Sequence, residues 1–204
     1  ATVTLRSADL TKPWDGTPLA NGATPLETES GWAAGQGATY EFTGSRTDVG
    51  TSEGGNTFEY TLNEGTDANN YNIKAEFGDI TITDRGEEAA YDVTVTANSK
   101  KETYDGGEKS VSGFQGETGQ GVPVVANGIT YYVTGLASEA SGTNTWESVA
   151  EIEVEGLEGM KVVDADGTDV TAQFDVTVVP GSLTIDKATV TLRSADLTKP
   201  WDGT

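Results

Sequence analysis

The sequence contains no cysteine and no histidine. The first absence removes a disulfide framework and thiolate metal sites, and the second removes the commonest general base and the commonest imidazole ligand for metals. Basic residues are scarce too: 12 Lys and Arg stand against 33 Asp and Glu, giving a formal net charge of −21. A surface so negative repels phosphate backbones and anionic lipid headgroups, so nucleic acid is not an expected partner. No apolar run approaches the length that crosses a bilayer, and membrane insertion of these residues is not expected either. Hydrophobic residues make up only 35% of the chain. They nevertheless fall in ordered alternation, a pattern that suits thin sandwich cores better than disorder.

What the chain does have is repetition. "ATVTLRSADLTKPWDGT" runs from Ala1 to Thr17 and again, letter for letter, from Ala188 to Thr204, an offset of 187 positions. We therefore expect one full repeat and the start of another, drawn from a longer parent chain. A fainter repeat lies inside the large one. "VTLRSADLTKPWDG" (Val3 to Gly16) lines up with "VTVTANSKKETYDG" (Val93 to Gly106), "GATYEFTG" (Gly37 to Gly44) with "GITYYVTG" (Gly128 to Gly135), and "YNIKAEFGDITIT" (Tyr71 to Thr83) with "FDVTVVPGSLTID" (Phe174 to Asp186). The first two pairs are offset by 90 and 91 positions and the third by 103, which places an insertion in the second copy.

Short segments of period two dominate. Val3 and Leu5, Tyr40 and Phe42, Phe58, Tyr60 and Leu62, and Ile80 and Ile82 each alternate with polar residues, as strands with one buried and one wet face do. Gly-, Asn- and Asp-rich stretches between them, "TSEGGN", "NEGTDANN" and "VDADGTD", read as turns. No helical stripe of useful length is present. The expectation is an all-β protein with a first β domain over 1–85, a second over 86–187 carrying an inserted hairpin, and the first strand of an incomplete repeat over 188–204. In the inserted hairpin, Ile152 and Val154 would alternate on one arm, Met160 and Val162 on the other, with "DADGTD" at the tip. The joint "DKAT" is much shorter than "TDRGEEAAYD", so the later joint is expected to be the stiffer.

Few residues suggest chemistry. At the aromatic-Asp-Gly turns, Asp15 or Asp105 can accept backbone amides while Gly16 or Gly106 takes the unusual backbone angle and Trp14 or Tyr104 covers the end of a core. A structural corner outweighs a sugar-stacking role for Trp14, and Trp32 and Trp146 are the second choice for a binding surface. Asp164, Asp166 and Asp169 are spaced like the early ligands of a calcium loop, but the twelfth position from Asp164 is Asp175, in a strand pattern, where that loop needs a bidentate Glu. An Asp-Gly hairpin tip is the favoured reading there, with calcium at the acidic joint of Asp84, Glu87, Glu88 and Asp92 left open. Lys12 and Lys101 follow first strands, yet the closing strands "GDITIT" and "GSLTID" offer no Asn or Gln for an isopeptide crosslink. "GETGQG" lacks the Lys of a phosphate loop. No catalytic, cofactor-binding or metal-ligating residue is assigned, no cofactor is expected, and an enzyme is the least expected class.

"WDG" at Trp14 to Gly16 and "YDG" at Tyr104 to Gly106, each after a strand and a polar stretch, together with the closing "ITI" and "LTI" strands and the following "ATVT", resemble the YDG-type and MBG-like repeat domains of large bacterial surface proteins. The resemblance covers nearly the whole chain. It implies small Ig-like β-sandwich or β-grasp-like domains in tandem, end to end, at an extracellular bacterial cell surface, serving as stalk repeats of an adhesin or fibre that project a functional tip. Neighbouring repeats of the same chain are the expected partners. A host-glycan-, mucin- or protein-binding module and a self-assembling filament subunit are the alternatives. Residues 188–204 lack the rest of their domain, so Val190 and Leu192 are expected either to be loosely ordered or to pair head to tail with an edge of another chain.

Overall fold

The computed structural model describes residues 1–22 and 25–203. Thr204, the last letter of the second copy, lies outside the described residues. Among these residues the chain forms twenty strands and five short 3-10 turns, with no α-helix: the protein is all-β. Its contacts gather it into two compact units, one holding 1–93, 124–131 and 162–176, the other holding 94–123, 132–161 and 177–204.

Unit 1 contains β1 (Thr2–Arg6), β2 (Leu10–Pro13), β3 (Leu19–Ala20), β4 (Thr28–Ser30), β5 (Ala38–Phe42), β6 (Ser45–Arg46), β7 (Gly50–Asn56), β8 (Phe58–Leu62), β9 (Asn72–Glu76) and β10 (Gly78–Thr83). Alternation in "TVTLR" turns Val3 and Leu5 inward, where both are fully buried, and "DITI" does the same for Ile80 and Ile82. Val3, Leu5 and Phe58 form a hydrophobic cluster joined by half-buried Leu26, Trp32, Tyr40, Phe42, Tyr71 and Ile73. β1 pairs antiparallel with β4 and parallel with β9; β2 pairs parallel with β10, whose other neighbour is antiparallel β7. The first two strands of the chain thus lie beside β9 and β10, running the same way, one pair in each of two sheets.

A buried polar cluster holds the step from β1 to β2. The Ser7 hydroxyl donates to the Asn56 carbonyl at 2.6 Å and accepts the Gly78 N–H at 2.9 Å, while the Asn56 amide donates to the Ala8 carbonyl at 2.7 Å. Gly78 lies so close to the Ala8 carbonyl that a Cβ there would overlap it. These bonds replace ladder pairing where the strand breaks.

"TSEGGN" departs from expectation. Its composition predicts a turn, but the chain makes the seven-residue strand β7 there. The pairing register between β7 and β10 shifts between Gly78 and Ile80, and the Gly54 N–H donates to the Asp79 carboxylate at 2.8 Å. This irregularity lets the two glycines stay in the sheet, because Gly54 takes a φ of +58° that a side chain would oppose.

The later strands are β11 (Tyr91–Thr96), β12 (Lys100–Thr103), β13 (Lys109–Ser112), β14 (Val122–Ala126), β15 (Ile129–Thr134), β16 (Ala137–Gly142), β17 (Val154–Glu155), β18 (Lys161–Val163), β19 (Phe174–Val179) and β20 (Leu183–Asp186). In unit 2, β12 runs parallel to β20, and β16 stands between antiparallel β13 and β17. Val95, Ala97, Phe114, Val133, Leu183 and Ile185 are buried there. Gly181 approaches the Asn98 carbonyl as closely as Gly78 approaches that of Ala8, so the same device serves the matched step of the second sequence repeat.

The inserted hairpin does not form as expected. β17 pairs with β16 rather than with β18, which belongs to a different sheet, and "DADGTD" closes on itself through a bridge between Val163 and Asp169. Alternation around Ile152 and around Val162 predicts strands at both places but does not choose their neighbours. Residues 188–203 form no strand, and Val190, Leu192, Leu197 and Trp201 are 76%, 90%, 96% and 92% exposed.

Candidate functional site

The aromatic-Asp-Gly corner of unit 1 is built as a plug. Trp14 is buried, with its ring centroid 6.3 Å from Tyr91, 5.7 Å from Tyr131 and 6.0 Å from Phe174, in edge-on and tilted geometries that aromatic rings favour. Asp15 accepts the Thr17 N–H at 2.9 Å, the Thr17 hydroxyl at 2.7 Å and the Lys12 ammonium at 2.6 Å. Burial pushes the Asp15 carboxyl up, but the Lys12 and Thr17 hydrogen bonds outweigh it and hold the group at about 2. Gly16 has φ of +78°, and a Cβ on it would collide with the Tyr131 hydroxyl. Burial also raises the Tyr131 phenol above its ordinary value. At 4% exposure the indole offers almost no surface on which a sugar could stack.

The matched corner at Tyr104 is open. Tyr104 is 39% exposed, and Gly106, with φ of +85°, has nothing near the place a Cβ would occupy. Asp105 accepts the Gly107 N–H at 2.8 Å and pairs with Lys109 at 2.6 Å, and these contacts lower its pKa.

Neither acidic stretch gathers its carboxylates. Asp164 accepts the N–H groups of Asp166 and Thr168 at 2.9 and 2.8 Å, and Asp169 accepts the Thr171 N–H and hydroxyl at 3.1 and 2.6 Å, so both are engaged in shaping their own turns. Asp84 accepts the Gln173 amide at 2.7 Å, while Glu87, Glu88 and Asp92 are exposed. Among the described residues, no three Asp or Glu side chains meet as a metal site.

The longer joint is hydrogen-bonded in place. Arg85 staples the longer joint: its guanidinium donates to the carbonyls of Trp14 at 3.0 Å and Ala89 at 2.6 Å and to the Tyr91 hydroxyl at 3.2 Å, and it sits 4.1 Å from the Tyr91 ring centroid. Asn127 adds a bond to the Asp15 carbonyl at 3.0 Å.

The two remaining tryptophans separate. Trp32 is half-buried and meets Tyr71 edge-on at 4.9 Å, beside Tyr40, whose phenol is pushed up to about 12 by burial and by the Glu29 carboxylate. Trp146 is 79% exposed. It sits on the 3-10 turn Thr145–Glu147, where Glu147 accepts the N–H groups of Thr143 and Asn144, both at 2.7 Å, and these bonds lower its pKa. The Ser148 hydroxyl ties the turn to β20 by accepting the Ile185 N–H at 2.9 Å. Trp146 and Tyr104, with Lys187 and Val190, line an open, largely apolar depression in unit 2.

No family model matches this chain, and neither the curated proteins nor the solved structures contain a match to it.

Proposed function

We propose that this chain is a structural stalk segment of an extracellular bacterial surface adhesin or fibre, built from tandem small Ig-like β-sandwich repeats that space a functional tip from the cell. The observation that supports this reading best is the parallel pairing of first and closing strands: β1 with β9 and β2 with β10 in the first sequence repeat, and β12 with β20 in the second. When tension is applied from the start to the end of such a repeat, parallel neighbours are dragged in opposite directions along their length. The inter-strand hydrogen bonds then share the load in shear instead of opening one after another. The negative surface adds repulsion between neighbouring stalks.

Because the chain has no cysteine, engineered thiols make unambiguous handles for single-molecule pulling. Handles at Ala1→Cys and Glu87→Cys load β1 against β9 in shear. Handles at Ala1→Cys and Asn70→Cys peel the same pair from one end, since the Ala1 amino group bonds the Asn70 carbonyl at 2.8 Å. The first geometry is expected to need clearly the larger rupture force, and equal forces would defeat the load-carrying reading.

The exposed Trp146 beside Tyr104 favours a second reading, a module that binds host glycan by stacking a sugar face on the indole. Its test is a glycan array in which Trp146→Ala abolishes binding and Trp32→Ala, which alters a packed ring, does not.

A further inference from the structure

We propose that the Asn127-Gly128 dipeptide is a self-modifying site: the Asn127 side-chain amide is lost as ammonia through a cyclic imide, and its loss unfastens the corner at residues 14–17 of unit 1. The chain carries two Asn-Gly dipeptides, at 21–22 and 127–128. In each, a glycine leaves the backbone nitrogen that must attack the asparagine side chain unhindered. Their settings differ. Asn127 and Gly128 are both exposed and form the two-residue turn between β14 and β15. Their φ angles are +48° and +75°, the left-handed pair that such a turn takes, and Asn127 is the one non-glycine residue among those described with a positive φ. Nothing lies within 4 Å of the place a Gly128 Cβ would occupy, so the approach to its nitrogen is open. Asn21, by contrast, is 4% exposed, and its amide donates to the buried Asn56 side chain at 3.3 Å. Reaction at Asn21 requires that part of unit 1 to unpack first.

The Gly128 nitrogen gives its proton to solvent base and attacks Asn127 Cγ. A new N–C bond forms, the Cγ–Nδ2 bond breaks, and Nδ2 takes up a proton and leaves as ammonia. Water then opens the imide at either carbonyl, leaving aspartate at 127 or the isomer whose backbone runs through the side chain. The sum is one water taken up and one ammonia released, with no oxidant or reductant. The departing atom has a structural duty. Asn127 Nδ2 donates to the Asp15 carbonyl at 3.0 Å, and both residues belong to unit 1. That bond is the restraint that must open before Cγ can turn toward Gly128. A carboxylate accepts and does not donate, so either product removes the bond and leaves the Asp15 carbonyl without this donor. Asp15 is the residue on which Lys12 and Thr17 converge, and Gly16 beside it lies against the Tyr131 hydroxyl. Loss of one amide at the hairpin tip therefore acts on the segment that carries Trp14 into its aromatic surroundings.

The test incubates the full chain in mildly alkaline buffer, where the attacking nitrogen loses its proton more readily. Both dipeptides are followed over time by peptide mapping, with an isoaspartate-specific methyltransferase label. In the folded chain Asn127 is expected to convert to a mixture of aspartate and isoaspartate about tenfold faster than Asn21, or more, because only Asn21 waits on the unpacking of a buried site. In urea-unfolded chain the two are expected to convert at like rates. The consequence is read separately in Asn127→Asp, which keeps a residue suited to the turn and removes the donor. Its amides at residues 14–17 are expected to exchange severalfold faster than those of the wild type, while the amides of β5 and β8 keep their protection. An Asn127 that survives in the folded chain as long as Asn21 overturns the reactive site. Exchange at 14–17 that is unchanged in Asn127→Asp overturns its hold on the corner.

Discussion

Asp15 and Asp105 occupy matched turns, yet only the first is built into a closed polar knot. The Lys12 ammonium and two groups of Thr17 converge on one Asp15 oxygen and hold its carboxyl at about 2, against about 3.9 for the same group in an unfolded chain. A depressed carboxyl stabilises the fold above the unfolded value, and that contribution disappears as pH falls through about 2. Asp15→Asn is therefore expected to lose about 1 kcal/mol at pH 7, allowing for solvent screening of a partly open site, with the gap to wild type closing by pH 2. Urea unfolding at pH 7, 4 and 2 measures it, and a gap independent of pH would assign the loss to geometry instead of charge. The corner itself was legible in "WDG", since an acceptor followed by a glycine requires little tertiary information. The buried Trp14 and the exposed Trp146 agree with that reading, but the rings that pack on Trp14 were not legible, because Tyr91, Tyr131 and Phe174 lie far along the chain.

Strands show which parts of the pattern carry information. Period-two alternation correctly marked Val3, Leu5, Ile80 and Ile82 as inward residues. It says nothing about whether a neighbour runs parallel, and the parallel β1 and β9 pair emerges only when the ends of the repeat meet. β7 was missed because its glycines and Asn carry turn propensity, which the Asp79 carboxylate and the register shift overrule. Alternation around Ile152 and Val162 with an Asp-Gly tip between reads as a hairpin, yet β17 pairs with β16, because alternation does not choose the neighbour. The connector after β10 offers a direct test of whether its hydrogen bonds hold it in order. Arg85→Ala removes three donated bonds and the contact with Tyr91, so hydrogen exchange across residues 84–92 is expected to quicken severalfold while the β9 amides keep their protection. Unchanged protection in 84–92 would show that this segment owes its order to something else.

For the molecule as a whole, charge is the governing quantity. With no histidine, the side chains gain and lose little charge between the carboxylates and the amines, so the −21 holds nearly constant across neutral pH. Copies should stay apart at pH 7 and low salt and come together as the pH approaches the isoelectric point near 4.1, an onset that light scattering during an acid titration detects. A particle size that stays constant down to pH 4 would show that repulsion is not what separates the copies. The pairing of β1 with β9 bears on a different property, the response to a sudden pull. A lock that fails in shear fails at once, and the roughly 80 residues behind it then pay out about 270 Å of slack at about 3.4 Å each. Under the proposed stalk reading, such a repeat would serve as a fuse with a length reserve, inextensible until the pair gives and then lengthening in one step before the covalent chain is threatened.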